Sequence, residues 1–429
     1  MKDYLVLRSA CEKIFYAGGG DFWFEEGALG NENHILYKAY TISIFSMCLV
    51  MTVLEILAAF AGGFPDDEHS DAVTFALSHT IVLAKMSSVV VRKRVVRALC
   101  RDAVKVCAAH EDPKLMATKA KIIRMNVAAY FACVYGSCVF YVFEGLRKLY
   151  FDGTHFVTIV TYWPSFSDNS AAATAFRIIC TLVLSFMMLP MIAFDSLAVT
   201  FLIIIKYKFI TLRNFFERLE GEFCKVASAE SLEAATELFE KRLKEGIVMH
   251  QELLRISKEV DLSFGVLIAL SVCLSFVSDI SLLLSLTLAE QLPFTTSLKI
   301  ILFMTALLFL LAEFLCNAGE ITYQASLLSG ALFASGWQRL GGGAGGRARL
   351  LVPAAAAAQR PVVMKAFSML PLTYATFLTR TLTEQTNRRA GAGRGGRGSP
   401  QNMDGTAKAP MFYAKKSKPS VFDSVFRLL

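Results

Sequence analysis

Five ionisable side chains, Lys85, Asp195, Asp279, Glu313 and Lys365, sit inside stretches otherwise apolar enough to cross a bilayer. A charge held in hydrocarbon costs roughly 3 kcal/mol on insertion scales, so such residues face protein or a wet cavity and serve ion pairs, ligand sites or ion paths. Lys85, Glu313 and Lys365 lie nearer the basic ends of their stretches, where snorkelling or a structural ion pair competes with a functional reading. Asp279 lies deeper and reads as a cavity residue. A second constellation gathers aromatics, methionines and a few small polar residues at the opposite ends of the same stretches: Phe75, Ser78 and His79; Tyr135, Ser137, Phe140 and Tyr141; Leu184, Met187 and Met188; Phe303 and Met304. Residues of this kind line small-molecule pockets, giving apolar contact with a few polar tips, and they also fill ordinary helix-bundle cores.

Other chemistries find no support. The six histidines are scattered, and HExxH, GK[ST] after a glycine loop, GxSxG and a Ser/His/Asp constellation are all missing, so an enzyme is not expected. No cofactor is implied. GGGAGG at 341–346 fits G-x-G-x-x-G in form, but no strand pattern precedes it and no acidic residue follows at the required distance. The ten cysteines form no CxxC pair and many fall in apolar runs, where free Cys acts as a small hydrophobe.

The elements that must position these residues are membrane helices. The chain has 429 residues, 55% hydrophobic and 19% charged, with mean hydropathy +0.48, more apolar than ordinary soluble domains. Runs near the roughly 20 residues needed to cross the hydrocarbon occupy 41–62, 73–91, 125–143, 178–205, 262–288 and 298–316. A weaker seventh, 361–378, carries Lys365, Ser368 and Thr373 and suits a helix facing protein or water.

Orientation follows the basic residues. Arg92, Lys93, Arg94, Arg97, Arg101 and Lys105 follow the second run, Lys206, Lys208, Arg213 and Arg218 the fourth, and Arg339, Arg347, Arg349 and Arg360 precede the seventh, whereas GFPDDEHSD at 63–71 has none. The positive-inside rule therefore places the even loops and the N-terminus in the cytosol, and the C-terminus outside. The start, MKDYLVLRSACEKIF, lacks the pattern of a signal peptide. The net charge of +8 sits beside these spans and orders topology; nucleic acid is not an expected partner, while the lipid bilayer is. A G-protein-coupled receptor would have the reverse order and an NPxxY-like signature, and a transporter internal repeats or paired broken helices. None of these is visible.

The fourth run, with Asp195 in its cytosolic half, is too long for the bilayer and is expected to continue as a helix through KYKFITLRNFFERLEGEF. Leu232, Ala235, Leu238, Leu243, Ile247 and Leu254 then recur at helical spacing among charges of both signs, as on an amphipathic helix that packs on partners. The expected organisation is a cytosolic segment 1–40, spans one to four in 41–205, a cytosolic helical anchor 206–261, spans five and six in 262–316, a cytosolic helix 317–340, a flexible Gly/Ala-rich linker 341–358, a seventh span 359–378 and a flexible basic tail 379–429.

Four segments in order resemble the insect odorant receptor family: TYWPSF (161–166), MHQELLRISKEVDLSF (249–264), NAGEITYQASLLSGALFASGW (317–337) and QRPVVMKAFSMLPLTYATF (359–377). The likeness covers the later two thirds and is weak before Phe140. HQELLRIS and TYWPSF distinguish it from a gustatory receptor of the same superfamily. The resemblance implies an all-α protein with seven transmembrane helices in inverted topology, a subunit of a tetrameric, nonselective cation channel gated by a small volatile odorant. It implies a shared odorant receptor co-receptor as partner, a pore lined by the last helix, with Met364, Phe367, Ser368, Leu370 and Pro371 as the pore residues, and residence in the plasma membrane of the olfactory neuron dendrite. It also implies that Ile321 to Trp337 forms a cytosolic helix joining subunits, its small residues Ala325, Ser326, Gly330, Ala331 and Ala334 allowing close approach. One departure stands out. Where the family's chains end soon after a PLSLETF-like run, this chain reads PLTYATF, and FDSVFRLL follows only at 422–429, so 380–420 reads as an insertion or a gene-model artefact.

Overall fold

The computed structural model describes residues 2–64, 66–151, 153, 155–168, 170–288, 294–339, 354–356, 358–359, 362–366 and 370–371. Eight α-helices account for most of them: α1 Lys2–Tyr16, α2 Ile35–Ala61, α3 Asp66–Val91, α4 Lys93–Lys105, α5 Pro113–Phe151, α6 Ala171–Ala229, α7 Leu232–Leu288 and α8 Phe294–Phe333. Among the described residues, α2, α3, α5, α6, α7 and α8 are long and apolar enough to cross a membrane, and each corresponds to one of the six apolar runs. The protein is thus a nearly all-helical membrane protein.

Helix α6 is the axis of the bundle. Its 59 residues span about 88 Å at 1.5 Å per residue, and every residue from Ile192 to Ile205 is buried. A helix apolar on all faces must be surrounded by others, and α1, α5, α7 and α8 pack around it. By contrast, α2 keeps a wide apolar face exposed, including Ile42, Leu49, Val53 and Phe60, as lipid contact demands. Helix α6 continues past its apolar stretch to Ala229, as the length of that stretch requires, and returns through α7, whose Ala235, Leu243, Leu253 and Val260 are buried. Helix α8 likewise runs through Asn317 without a break to Phe333. Its buried Ala325, Leu328 and Leu332 face this chain's core, while Tyr323, Ser326, Gly330, Phe333 and Ala334 are exposed or have open space around them. Gly336 closes the segment at φ +89°, where a Cβ would lie 2.8 Å from the Glu220 side chain.

The N-terminal segment is ordered by a buried charge cluster. Lys119 Nζ lies 2.5 Å from Asp3 and 3.3 Å from Glu111, and Lys208 Nζ lies 2.7 Å from Glu111 and 3.0 Å from Asp3. Two carboxylates and two ammonium groups balance, so α1 is pinned to α5 and α6 without net buried charge. Burial raises the pKa of Asp3, but Lys208 and Lys119 outweigh it and hold the carboxyl below its ordinary value of 3.8. Because the folded value is the lower one, the contribution to stability is complete above the unfolded value and lost as pH falls through the folded one. Asp3→Asn is expected to cost about 1–3 kcal/mol at pH 7, and the difference from wild type should shrink only below about pH 4, read as melting temperatures in nanodiscs across pH.

Two stretches are described only in part. Within 341–358, residues 354–356 and 358 are helical, and Ala354 and Ala358 are buried; alanine has the highest helix propensity and asks little room. Where a helical seventh span was expected, residues 362–364 are irregular, and β1 Lys365–Ala366 pairs antiparallel with β2 Leu370–Pro371. Proline cannot donate the helical hydrogen bond and clashes with the preceding turn, so Pro371 opposes a continuous helix there. Lys365 is exposed, its backbone N–H donating to Asp261 Oδ1 at 2.7 Å. Met364 is buried. Phe367, Ser368 and the tail 379–429 lie outside the described residues.

Candidate ligand cavity and its polar floor

Helices α3, α5, α6 and α8 enclose a cavity of about 70 Å³, with α7 reaching it through Leu274. Eight of the sequence-predicted ligand residues line it: Phe75, Ser78 and His79 from α3, Ser137 and Tyr141 from α5, Leu184 and Met188 from α6, and Phe303 from α8. They come together because each sits on the inward face of its helix at a similar depth. The rings interlock, with Tyr141 5.2 Å from Phe75 and 6.2 Å from Phe303, both edge to face.

The other four stand around it. Met187 is buried in the same hydrophobic cluster. Tyr135 donates its hydroxyl to the Ser185 carbonyl at 2.9 Å. Phe140 and Met304 are half-buried and do not line the cavity. The segment between α5 and α6 closes over this cluster. Ile159 is buried against Leu184 and Met187, the Tyr162 N–H donates to the Leu54 carbonyl at 3.0 Å, Trp163 meets Phe176 edge to face at 4.6 Å, and Arg177 donates to the Ser165 carbonyl at 3.0 Å.

At one end of the cavity lie Lys85 and Tyr130. Lys85 Nζ is 2.8 Å from Asp195 Oδ1 and 2.9 Å from Oδ2, and the Tyr130 hydroxyl donates to Oδ2 at 2.9 Å. Two of the ionisable residues picked from the sequence are therefore partners, joining α3 to α6. Glu313, a third, accepts from Asn126 Nδ2 at 2.7 Å and from Asn317 Nδ2 at 3.0 Å, while Lys206 donates to Asn317 Oδ1 at 3.1 Å. This joins α5, α6 and α8 below the cavity. Asp279 is buried on α7, which lines this cavity through Leu274. The sequence reading also passed over Glu55, a single carboxylate in the first apolar run. The same signal that marks Lys85 marks it, and it is fully buried with both oxygens within 2.8 Å of His79 Nδ1.

A much larger groove, about 910 Å³, runs between α1, α5 and α6. It contains none of the predicted ligand residues, and its walls include the exposed Leu5, Tyr16 and Phe131. It is the more open of the two and is apolar, whereas the small cavity is more enclosed and carries convergent polar groups of the kind that orient a small molecule. A cavity of 70 Å³ admits a larger guest only if its walls yield, and Met188 and Met191, unbranched and rotatable, are walls that can.

The structure is thus a nearly all-helical membrane bundle around an aromatic-lined cavity with a charged floor. The family model for the 7tm odorant receptor matches residues 67–381, and the chain belongs to that family. The fold is also that of the insect olfactory receptor OR5 from Machilis hrabei: 13% identity, TM-score 0.73, covering 91% of this chain and 100% of that one. The same receptor in complex with eugenol matches with 14% identity, TM-score 0.72, and 90% and 97% coverage. No curated protein sequence matches the chain.

Proposed function

We propose that this protein is an odorant-binding subunit of a ligand-gated, nonselective cation channel, assembling with an odorant receptor co-receptor as a hetero-tetramer in the plasma membrane of olfactory dendrites. The observation that carries the reading is the enclosed cavity between α3, α5, α6 and α8, in a bundle whose fold is shared with a receptor resolved with eugenol. A volatile molecule that binds the open state more tightly shifts the gate by that difference in affinity. The exposed small and aromatic face of α8, with Tyr323, Ser326, Gly330 and Phe333, supports subunit assembly, and residues 359–378 with Met364, Phe367, Ser368, Leu370 and Pro371 are the proposed pore segment. The basic residues after α3 and within α6 support a cytosolic N-terminus.

Currents recorded from cells expressing this chain with a co-receptor, against co-receptor alone, test the reading across an odorant panel. Odorant-evoked cation current that needs this chain is the expected result. Silence with normal surface delivery sinks it. Epitope tags near Asp67 and Arg97 test orientation in intact cells, and only the former should be reached by antibody.

A further inference from the structure

Most polar groups at the cavity are already engaged. Lys85 and Tyr130 are committed to Asp195, and Ser137 Oγ donates to the Val134 carbonyl at 2.8 Å. Ser78 differs. It lines the cavity, is 5% exposed, and its Oγ has no hydrogen-bond partner among the described residues. A buried hydroxyl left unpaired costs free energy that a bound partner recovers.

His79 stands beside it on α3. It lines the cavity while Glu55 does not, and its Nδ1 is held by both Glu55 carboxylate oxygens at 2.6 and 2.8 Å. Phe75 stacks on it at 5.6 Å, fixing the ring plane. Glu55 is fully buried and His79 is its hydrogen-bonding partner; among the described residues no Lys or Arg reaches it. An ionised Glu55 facing a neutral His79 would leave an uncompensated charge in the bundle, which is strongly unfavourable. Two arrangements avoid this: carboxylate with imidazolium, or carboxylic acid donating to Nδ1. Both place the remaining proton on Nε2, which has no partner among the described residues and sits on the side of the ring away from Glu55. The cavity is therefore offered a fixed N–H donor next to a free hydroxyl.

We propose that Ser78 and the Glu55-backed His79 form an oxygen-recognition subsite, so that the chain selects small uncharged molecules with a carbonyl or hydroxyl oxygen over hydrocarbons of the same shape and over protonated amines. The oxygen accepts from His79 Nε2 and exchanges a hydrogen bond with Ser78 Oγ, while the apolar body packs on Tyr141, Leu184, Met188 and Phe303. A protonated amine brings only donors and a charge that the Nε2–H repels. This inference rests on the cavity being the odorant site, and it names the chemical class that site takes.

The test uses the purified full chain in nanodiscs, with affinities for 2-heptanone, 1-heptanol, n-octane and heptylamine from ligand-dependent melting shifts, alongside currents with a co-receptor. Ketone and alcohol are expected to bind about tenfold or more tighter than octane or the amine. Ser78→Ala should reduce that preference by about threefold. Because His79 alone cannot be removed without stranding Glu55, the charge-balanced double variant Glu55→Leu/His79→Phe is the second arm. It should bring ketone and hydrocarbon to within about twofold of each other. Equal wild-type affinities, a preference untouched by both variants, amine binding as tight as ketone, or no binding of any probe overturns the inference. Selective binding with no current sinks the channel reading alone and leaves the subsite standing.

Discussion

Lys85→Met is expected to lower the stability of the folded chain by about 3–5 kcal/mol, and Asp195→Leu by a similar amount, because each leaves the other charge buried and unpaired. The side chains are 3% and 0% exposed, and Tyr130 is the other hydrogen-bonding partner of Asp195 among the described residues. The hydroxyl satisfies one lone pair but supplies no counter-charge. The double variant Lys85→Met/Asp195→Leu should recover most of the loss, since replacing both members of a buried pair with apolar groups is often near neutral. A double-mutant cycle read by thermal melting in nanodiscs isolates the pairwise term. Additive losses in the double variant would show that the two residues act separately, and would remove the link between α3 and α6 at the cavity floor. Melting is the right readout because Lys85 and Tyr130 also line the cavity, so odorant responses would mix stability with binding.

Ala306→Leu is expected to raise the effective concentration of odorant by at least about a hundredfold, while leaving stability unchanged or raised by about 0.5–2 kcal/mol. Ala306 is 4% exposed and lines the 70 Å³ cavity from α8. Its methyl group marks where a longer side chain can grow into empty space, gaining contacts the void withholds. Function and stability thus move in opposite directions, which a simple folding defect cannot produce. If Ala306→Leu responds like wild type while folding normally, the guest does not occupy this cavity, and the outward-facing groove between α1, α5 and α6 becomes the place to look. If it loses stability by overpacking, Ala306→Val, one methylene shorter in reach, keeps the test usable: a rise in effective concentration at wild-type melting is then the expected result.

What the sequence alone determined is the set of helices and much of the cavity's membership. Long apolar runs can satisfy their backbone in a bilayer only as helices, so six runs became six helices in α2, α3, α5, α6, α7 and α8. The clustering of aromatics, methionines and small polar residues at one end of those runs was enough to name Phe75, His79, Tyr141, Leu184, Met188 and Phe303 before any geometry existed, since local composition at a given depth survives folding. The short family-like segments carried the rest of the identity.

Tertiary structure alone decided the pairings. Lys85 and Asp195 are 110 residues apart, Asn126 and Glu313 are 187 apart, and Glu55 and His79 are 24 apart on separate helices. Each residue is visible in the sequence as an ionisable or polar group in an apolar run, but whether it meets a partner depends on the rotation and depth at which two helices pack. The same reason decides that α7 reaches this cavity through Leu274 rather than through Asp279. Periodicity tells which face of a helix is apolar, and when every face is apolar, as along the middle of α6, it cannot tell which residue meets which neighbour. That choice belongs to the packing of the whole bundle.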